Sequence, residues 1–193
     1  QGVSLGQPYR KMGQQGAPVC DVIFDDVRVP AESLVGGKEN VGFITAMKVL
    51  DKGRLHISAI SVGVAERLIE DATRYAIERK QFNQPIADFQ LVQAMLADSQ
   101  TEMYAAACMV AETARRRDSG ESVAAVAASC KLFATEMVGR VADRAVQIFG
   151  GAGYIEDYGI ERFYRDVRLF RIYEGTSQIQ QTVIAKDLIK RFQ

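Results

Sequence analysis

The chain has 193 residues, room for one large domain or for one domain and part of another. Its 24 Lys and Arg balance its 24 Asp and Glu, and a formal charge of zero argues against nucleic acid as the main partner, because phosphate binding needs a net basic face. A hydrophobic share of 48% supplies a sizeable core, but no apolar run reaches the roughly 18 residues of a membrane span.

Residues 1 to 38 hold three of the four prolines and many of the glycines. Val19, Val22, Ile23, Phe24, Val27 and Val29 favour strands, bracketed by Pro18 and Pro30. Two or three strands fit, too few for a sheet domain of their own. With Gln1 opening the chain and no signal peptide pattern, residues 1–38 read as the end of a β-domain that begins elsewhere.

From Val41 the pattern turns helical. Phe43, Met47, Leu50, Ile57, Ile60, Val64, Leu68 and Ala72 form a stripe, predicting a long helix to about Lys80 despite Gly53 and Gly63. A second helix is predicted from about Phe89, along Val92, Met95, Ser99, Met103, Ala106, Val110 and Ala114. It ends in Arg115-Arg116-Arg117, where cations favour the helix dipole. After the turn Asp118-Ser119-Gly120, a third stripe runs Val123, Val126, Cys130, Phe133, Met137, Val141, Ala145 and Ile148, and stops at Gly150-Gly151. Shorter helices are expected at about 160–171 and 177–191, the last opened by a capping box of Ser177 and Gln180. Long stripes joined by short loops predict a mainly α fold, an antiparallel four-helix bundle over residues 39–193.

Several motifs could carry chemistry. Gly150-Gly151-Ala152-Gly153 follows a helix rather than a strand, which excludes a dinucleotide fingerprint. It ends a helix, and its amides could also meet a phosphate or an adenine. In Glu78-Arg79-Lys80-Gln81-Phe82, a solvated charge cluster competes with a site where Arg79 grips a pyrophosphate and Phe82 covers a ring. Gly53, within Asp51-Lys52-Gly53-Arg54, costs about 1 kcal/mol relative to alanine in mid-helix, so close approach by a second helix or by a ligand is expected there. Glu174 lies between two helical segments and is a plain loop glutamate or a base. His56 is the one histidine, which removes a Ser-His-Asp triad and any multi-histidine metal site within this sequence. It is expected to pack. Cys20, Cys108 and Cys130 match no metal or disulfide spacing and are expected to be buried free thiols of a reducing compartment.

Together these segments resemble the acyl-CoA dehydrogenase family. Gln147-Ile148-Phe149-Gly150-Gly151-Ala152-Gly153-Tyr154 is similar to its stretch that meets FAD across a subunit interface. Arg162, Tyr164-Arg165-Asp166 and Ile172-Tyr173-Glu174-Gly175-Thr176-Ser177-Gln178 resemble the sequel, Arg79-Lys80-Gln81-Phe82 its Arg-x-x-Phe motif, and Lys11 to Gly36 the end of its middle β-domain. The resemblance implies oxidation of an acyl-CoA thioester to trans-2-enoyl-CoA, with FAD as cofactor, electron-transferring flavoprotein as acceptor, and a homodimer or homotetramer. It implies a bacterial cytoplasm or a mitochondrial matrix. Oxidase-like or nitroalkane oxidase-like chemistry on the same fold and a non-catalytic assembly bundle are the alternatives.

Residue roles follow by position. The family keeps its base either at the glutamate of the Tyr-Glu-Gly segment, here Glu174, or on the long helix where this chain has Gly53. Glycine carries no carboxylate, so the resemblance assigns Glu174, and Gly53-Arg54 resembles the short-chain branch. It implies FAD contacts at Arg79, Gln81, Phe82, Gln90, Gln147, Ile148, Phe149, Gly150, Gly151, Thr176, Ser177 and Gln178, and acyl-CoA contacts at Asp51, Arg54, Tyr173 and Gly175. Asn83, Phe89 and Gly159 depart from the family's common glycine, histidine and proline. Since the family's first helical domain and the opening of its β-domain are not in this sequence, residues 1–193 alone are expected to hold FAD weakly and to turn over no substrate.

Overall fold

A computed structural model describes the backbone of residues 1–193 and every side chain except that of Asp51, one of the expected acyl-CoA contacts, which lies outside the described residues. Two strands form near the N-terminus, β1 (Val3–Leu5) and β2 (Val22–Phe24), paired antiparallel with Val3 opposite Phe24. Val27 and Val29 lie beyond the pairing. The strands leave Val3, Leu5, Val22, Ile23 and Phe24 all exposed. A two-stranded pair is marginal alone. Residues 12–14 tie it to the helical body: Arg165 Nη1 donates to the Met12 carbonyl (3.0 Å), and the Gln14 amide donates to the Asp166 carboxylate.

Four helices make the body: α1 (Gly42–Glu78), α2 (Gln90–Asp118), α3 (Ala124–Phe149) and α5 (Ser177–Lys190), with the short α4 (Ile160–Val167) between α3 and α5. α3 is the central element, packing on each of the others. Tyr75 near the end of α1 stacks on Phe149 at the end of α3, with centroids 4.1 Å apart, so these two run parallel. Glu102 of α2 pairs with Arg140 and Arg144 of α3, and Ser177 at the start of α5 meets Glu136. α2 and α5 therefore run against α3, giving the up-down-up-down order that short loops predict. Burial opposes the charge on Glu102, but the bonds from Arg144 and Arg140 outweigh it and hold its pKa below the ordinary value.

The core lies along α1 and α3. Ile57, Leu68, Met137, Val138, Val141, Ile148 and Phe149 fill it, with Phe170 beyond. Burying Leu68 fully contributes about 1.5–3 kcal/mol. Buried Ala65, Ala72, Ala76, Ala134, Ala142 and Ala145 let the helices approach closely. Ser58, Ser61 and Thr135 are buried without cost in lost hydrogen bonds because each hydroxyl donates to the carbonyl four residues back.

Several expectations are corrected. The first part of the α1 stripe is not core: Phe43 and Met47 are exposed, as is Ile60. Ser58 of α1 lies level with Cys130 of α3, and α3 begins at Ala124, so the first turns of α1 project past it. His56 is exposed and packs on nothing in the core. Only Cys130 is a buried thiol, its pKa pushed up by burial beside Ser58 and Thr113, whereas Cys108 is exposed and Cys20 half-buried. The helix expected at 160–171 is α-helical to Val167 and tightens to a 3-10 turn through Arg171. No helix among the described residues is long and apolar enough to cross a membrane.

Candidate active site

The connection from α4 to α5 brings Glu174 to α1. Glu174 has φ 57° and Gly175 φ 86°. A non-glycine residue in that region costs of order 1–3 kcal/mol, so surrounding contacts must hold it. Gln180 Nε2 donates to the carbonyls of Glu174 (3.1 Å) and Gly175 (2.9 Å), and Lys131 Nζ donates to the Gly175 carbonyl (2.8 Å). Below them, Ser177 Oγ donates to Glu136 Oε1 (2.7 Å) and Arg171 Nη1 to Glu136 Oε2 (3.2 Å). Arg171 reaches α3 through the gap at Gly139, where a Cβ would stand 2.8 Å from its Nη2. This support replaces the expected capping box. Thr176 is the N-cap, accepting from the Ile179 amide at 3.3 Å, while Ser177 and Gln180 turn inward.

The turn lays the Glu174 carboxylate directly over Gly53. A Cβ added there would stand 2.5 Å from Cδ and 3.0 Å from Oε1 of Glu174. The mid-helix glycine is therefore a seat for a carboxylate rather than for a second helix. Around it, Arg54 is buried at 8% exposure and Lys131 is fully buried. Burial pushes Lys131 down to about 8, with Arg54 pushing the same way and Glu136 and Glu174 opposing. Tyr173 stacks on Phe170 with centroids 5.8 Å apart, and burial raises its phenol against a hydrogen bond with Gln14. Sequence reasoning missed Lys131, Glu136, Arg171 and Gln180 as parts of this site.

The remaining site residues gather at the C-terminal end of α1. Arg79, Gln81, Ile148, Phe149, Gly150 and Gly151 line one groove of about 510 Å³, floored by the stacked Tyr75 and Phe149. Arg79 is exposed and follows α1 directly. A hairpin not expected from the sequence, β3 (Lys80–Gln81) with β4 (Gln84–Pro85), carries Phe82 at its tip, 87% exposed. Phe82 and Asn83 both have positive φ, 52° and 65°, as a type I′ turn requires. Asn tolerates that conformation, so Asn83 keeps what a glycine would supply. Phe89 meets Phe82 edge-on, with centroids 6.1 Å apart. Gly159 has φ 72°, a conformation closed to proline. A Cβ at Gly150 or Gly151 would touch nothing; the backbone of Gly150, at φ 59° and ψ −136°, itself calls for glycine, whereas nothing in the chain requires one at Gly151. Gln90 and Gln147 are exposed near the groove's elements, and Gln178 is exposed on α5.

The structure thus brings Glu174, Gly175, Thr176, Ser177, Tyr173 and Arg54 together in one cluster and the Arg79 and Gly150 segments in a second. One stands at Gly53, three turns into α1, and the other just past its C-terminal end, 26 residues or roughly 39 Å apart at 1.5 Å per residue. No group of three or more His, Cys, Asp or Glu among the described residues could hold a metal.

The profile of the family described as acyl-CoA dehydrogenase, C-terminal domain, matches residues 40–189. Among curated proteins, the 3-(aryl)acrylate reductase of Clostridium sporogenes is 47% identical over 98% of this chain and 50% of its own length. The caffeyl-CoA reductase-Etf complex subunit CarC of Acetobacterium woodii is 46% identical over 99% of this chain and 50% of its own. Among solved structures, butyryl-CoA dehydrogenase from Megasphaera elsdenii superposes with a TM-score of 0.94 at 38% identity, over 97% of this chain and 49% of that one. The chain spans about half the length of the relatives it matches. By the profile match it belongs to the acyl-CoA dehydrogenase family, of which residues 40–189 form the C-terminal helical domain.

Proposed function

We propose that the protein carrying this chain is a flavin-dependent acyl-CoA dehydrogenase that desaturates an acyl-CoA to trans-2-enoyl-CoA, with Glu174 as the base for the α-proton. One observation carries the reading. The resemblance allows a base at Glu174 or at the position of Gly53, and here a side chain from position 53 would begin on the Glu174 carboxylate. Both chain positions serve one point in space, and only Glu174 fills it.

An ordinary carboxylate is far too weak for a thioester α-proton unless the developing enolate is stabilised and the base is desolvated. Glu174 is half-buried and fixed by its turn, which limits the motion it must lose. Arg54, Tyr173 and Gly175 adjoin it and are assigned to the acyl-CoA, together with Asp51. Bound FAD supplies the acceptor for the hydride leaving the β-carbon. The far groove fits such a group. Arg79 offers a planar fork to a pyrophosphate, Gly150 and Gly151 leave backbone open to close approach, and Phe82 presents a free ring. Thr176 and Gln178, at the start of α5, are assigned as further contacts, and Ser177, its hydroxyl committed to Glu136, would contribute backbone. With the two clusters about 39 Å apart, the groove is assigned to the FAD of a second copy in a homodimer or tetramer. Residues 1–38, whose strands expose both faces, are assigned to the end of a β-domain.

A second reading has an observation behind it. Two of the relatives are named reductases, one of them an Etf complex subunit, and the same carboxylate can return a proton when the reaction runs backward. Both readings make electron-transferring flavoprotein the redox partner. The test is Glu174→Gln in the full-length, flavin-loaded protein, assayed with butyryl-CoA and longer, branched and aryl homologues in both directions. Loss of turnover with every substrate is expected, and unchanged turnover refutes the assignment of the base. Reoxidation by electron-transferring flavoprotein rather than by oxygen separates a dehydrogenase from an oxidase.

A further inference from the structure

We infer that Lys131 is a positioning residue for Glu174: its buried side chain, bonded to the Gly175 carbonyl, holds the left-handed turn that lays the carboxylate over Gly53. The inference rests on Glu174 being the reacting group. Lys131 is on α3, forty-three residues before Glu174 in the chain; its Nζ bonds the peptide next to Glu174, and it does not line the far groove. It is fully buried, and a lysine at that depth is costly unless its donors are used. Its Nζ donates at 2.8 Å to the Gly175 carbonyl, which also accepts from Gln180 Nε2 at 2.9 Å. Gln180 donates to the Glu174 carbonyl as well. Two consecutive carbonyls of a turn with two successive positive φ values are thereby pinned to α3 and α5.

The neighbouring bonds give the clamp a base. Glu136, one turn along α3 from Lys131, holds Ser177 and Arg171 on either side of the turn. The segment from Arg171 to Ser177 is thus gripped at both ends and in the middle by α3. Remove the middle grip and Glu174 keeps its flanking supports, but the Gly175 carbonyl is left with its bond from Gln180 and loses its tie to α3. A side chain displaced by about 1 Å can cost about a hundredfold in rate.

The experiment uses the full-length, flavin-loaded protein with Lys131→Met, which keeps the length and removes the donor. Expected are a kcat 10- to 100-fold lower, a KM for acyl-CoA within twofold, and faster amide exchange over residues 173–178 with α1 and α3 protected as before. Unchanged kcat overturns the inference, and so does a lower kcat without faster exchange. If Lys131→Met does not yield folded protein, Lys131→Leu, which also lacks a donor, is read the same way. Glu174→Gln run in parallel keeps the questions apart: retained turnover there refutes the base, while the exchange measurement still decides whether Lys131 holds the turn.

Discussion

Two places along α1, Gly53 and the C-terminal end, solve opposite problems. At Gly53 the chain supplies everything that fixes Glu174: a turn with positive φ, carbonyls held by Lys131 and Gln180, and a gap in a helix shaped to the carboxylate. At Arg79 the groove is open, its glycines leave space the chain does not fill, and Phe82 stands in solvent. A site completed from within keeps its geometry without ligand, whereas the groove has its donors and its ring free for another molecule. Substitutions at the first place should therefore change rate, and at the second should change binding.

The largest effect is expected from Glu174→Gln, a fall in kcat of about 10³- to 10⁴-fold, with acyl-CoA still bound. Equal loss of binding and rate would mean that Glu174 holds substrate rather than moving a proton. Gly53→Ala sharpens the comparison because it sets stability against activity. Alanine is favoured over glycine in mid-helix by about 1 kcal/mol, but here its methyl would overlap the Glu174 carboxylate. We expect kcat to drop by roughly a hundredfold, as for a base displaced by about 1 Å, while the melting temperature holds or rises. A full-length variant with unchanged kcat would show that the carboxylate does not work from this seat.

At the C-terminal end, Arg79→Ala should leave circular dichroism unchanged and weaken flavin retention by about tenfold or more, the loss of one charged hydrogen bond worth about 1.5–3 kcal/mol. The measurement is the flavin absorbance remaining after gel filtration of the full-length protein. A change in kcat at saturating flavin would break the division between the two places.

Much of this division was legible in the sequence. The third stripe gave α3 nearly to the residue because its apolar steps coincide with its buried face. The α1 stripe misled over its first turns, since periodicity reports an apolar face and not whether a neighbour reaches it. Glu174 and the groove residues were singled out through motif order, and Gly53 by its helix cost and by the family's alternative base position. Lys131, Glu136 and Arg171 were not legible. They read as ordinary charges on helices, and only the packing of α3 against the 171–177 connection shows what they bond. Ser177 and Gln180 fit a capping pattern by spacing, yet tertiary acceptors on α3 and in the turn claim both side chains.

The smallest effect expected is in stability against pH, and it tests whether the cation behind Glu174 is as enclosed as its geometry indicates. Lys131 titrates at about 8 in the folded chain against 10.5 for an ordinary lysine, burial first and Arg54 next lowering it, Glu136 and Glu174 resisting. Between those values the unfolded chain keeps a proton that the folded chain has released. Unfolding then takes up protons, so stability rises with pH across about 8 to 10.5 and is flat with respect to this group below that window. Tyr173 acts in the opposite sense at the upper end, since burial raises its phenol and its contribution falls as it ionises. The clean interval is therefore pH 7.5–9.5, stated as roughly the stretch between the two titrations. Urea midpoints of the full-length protein and of Lys131→Met should diverge there, the parent gaining relative to the variant as pH rises. Parallel curves would mean that water reaches Lys131, and that the clamp on the Gly175 carbonyl is looser than a fully buried donor at 2.8 Å implies.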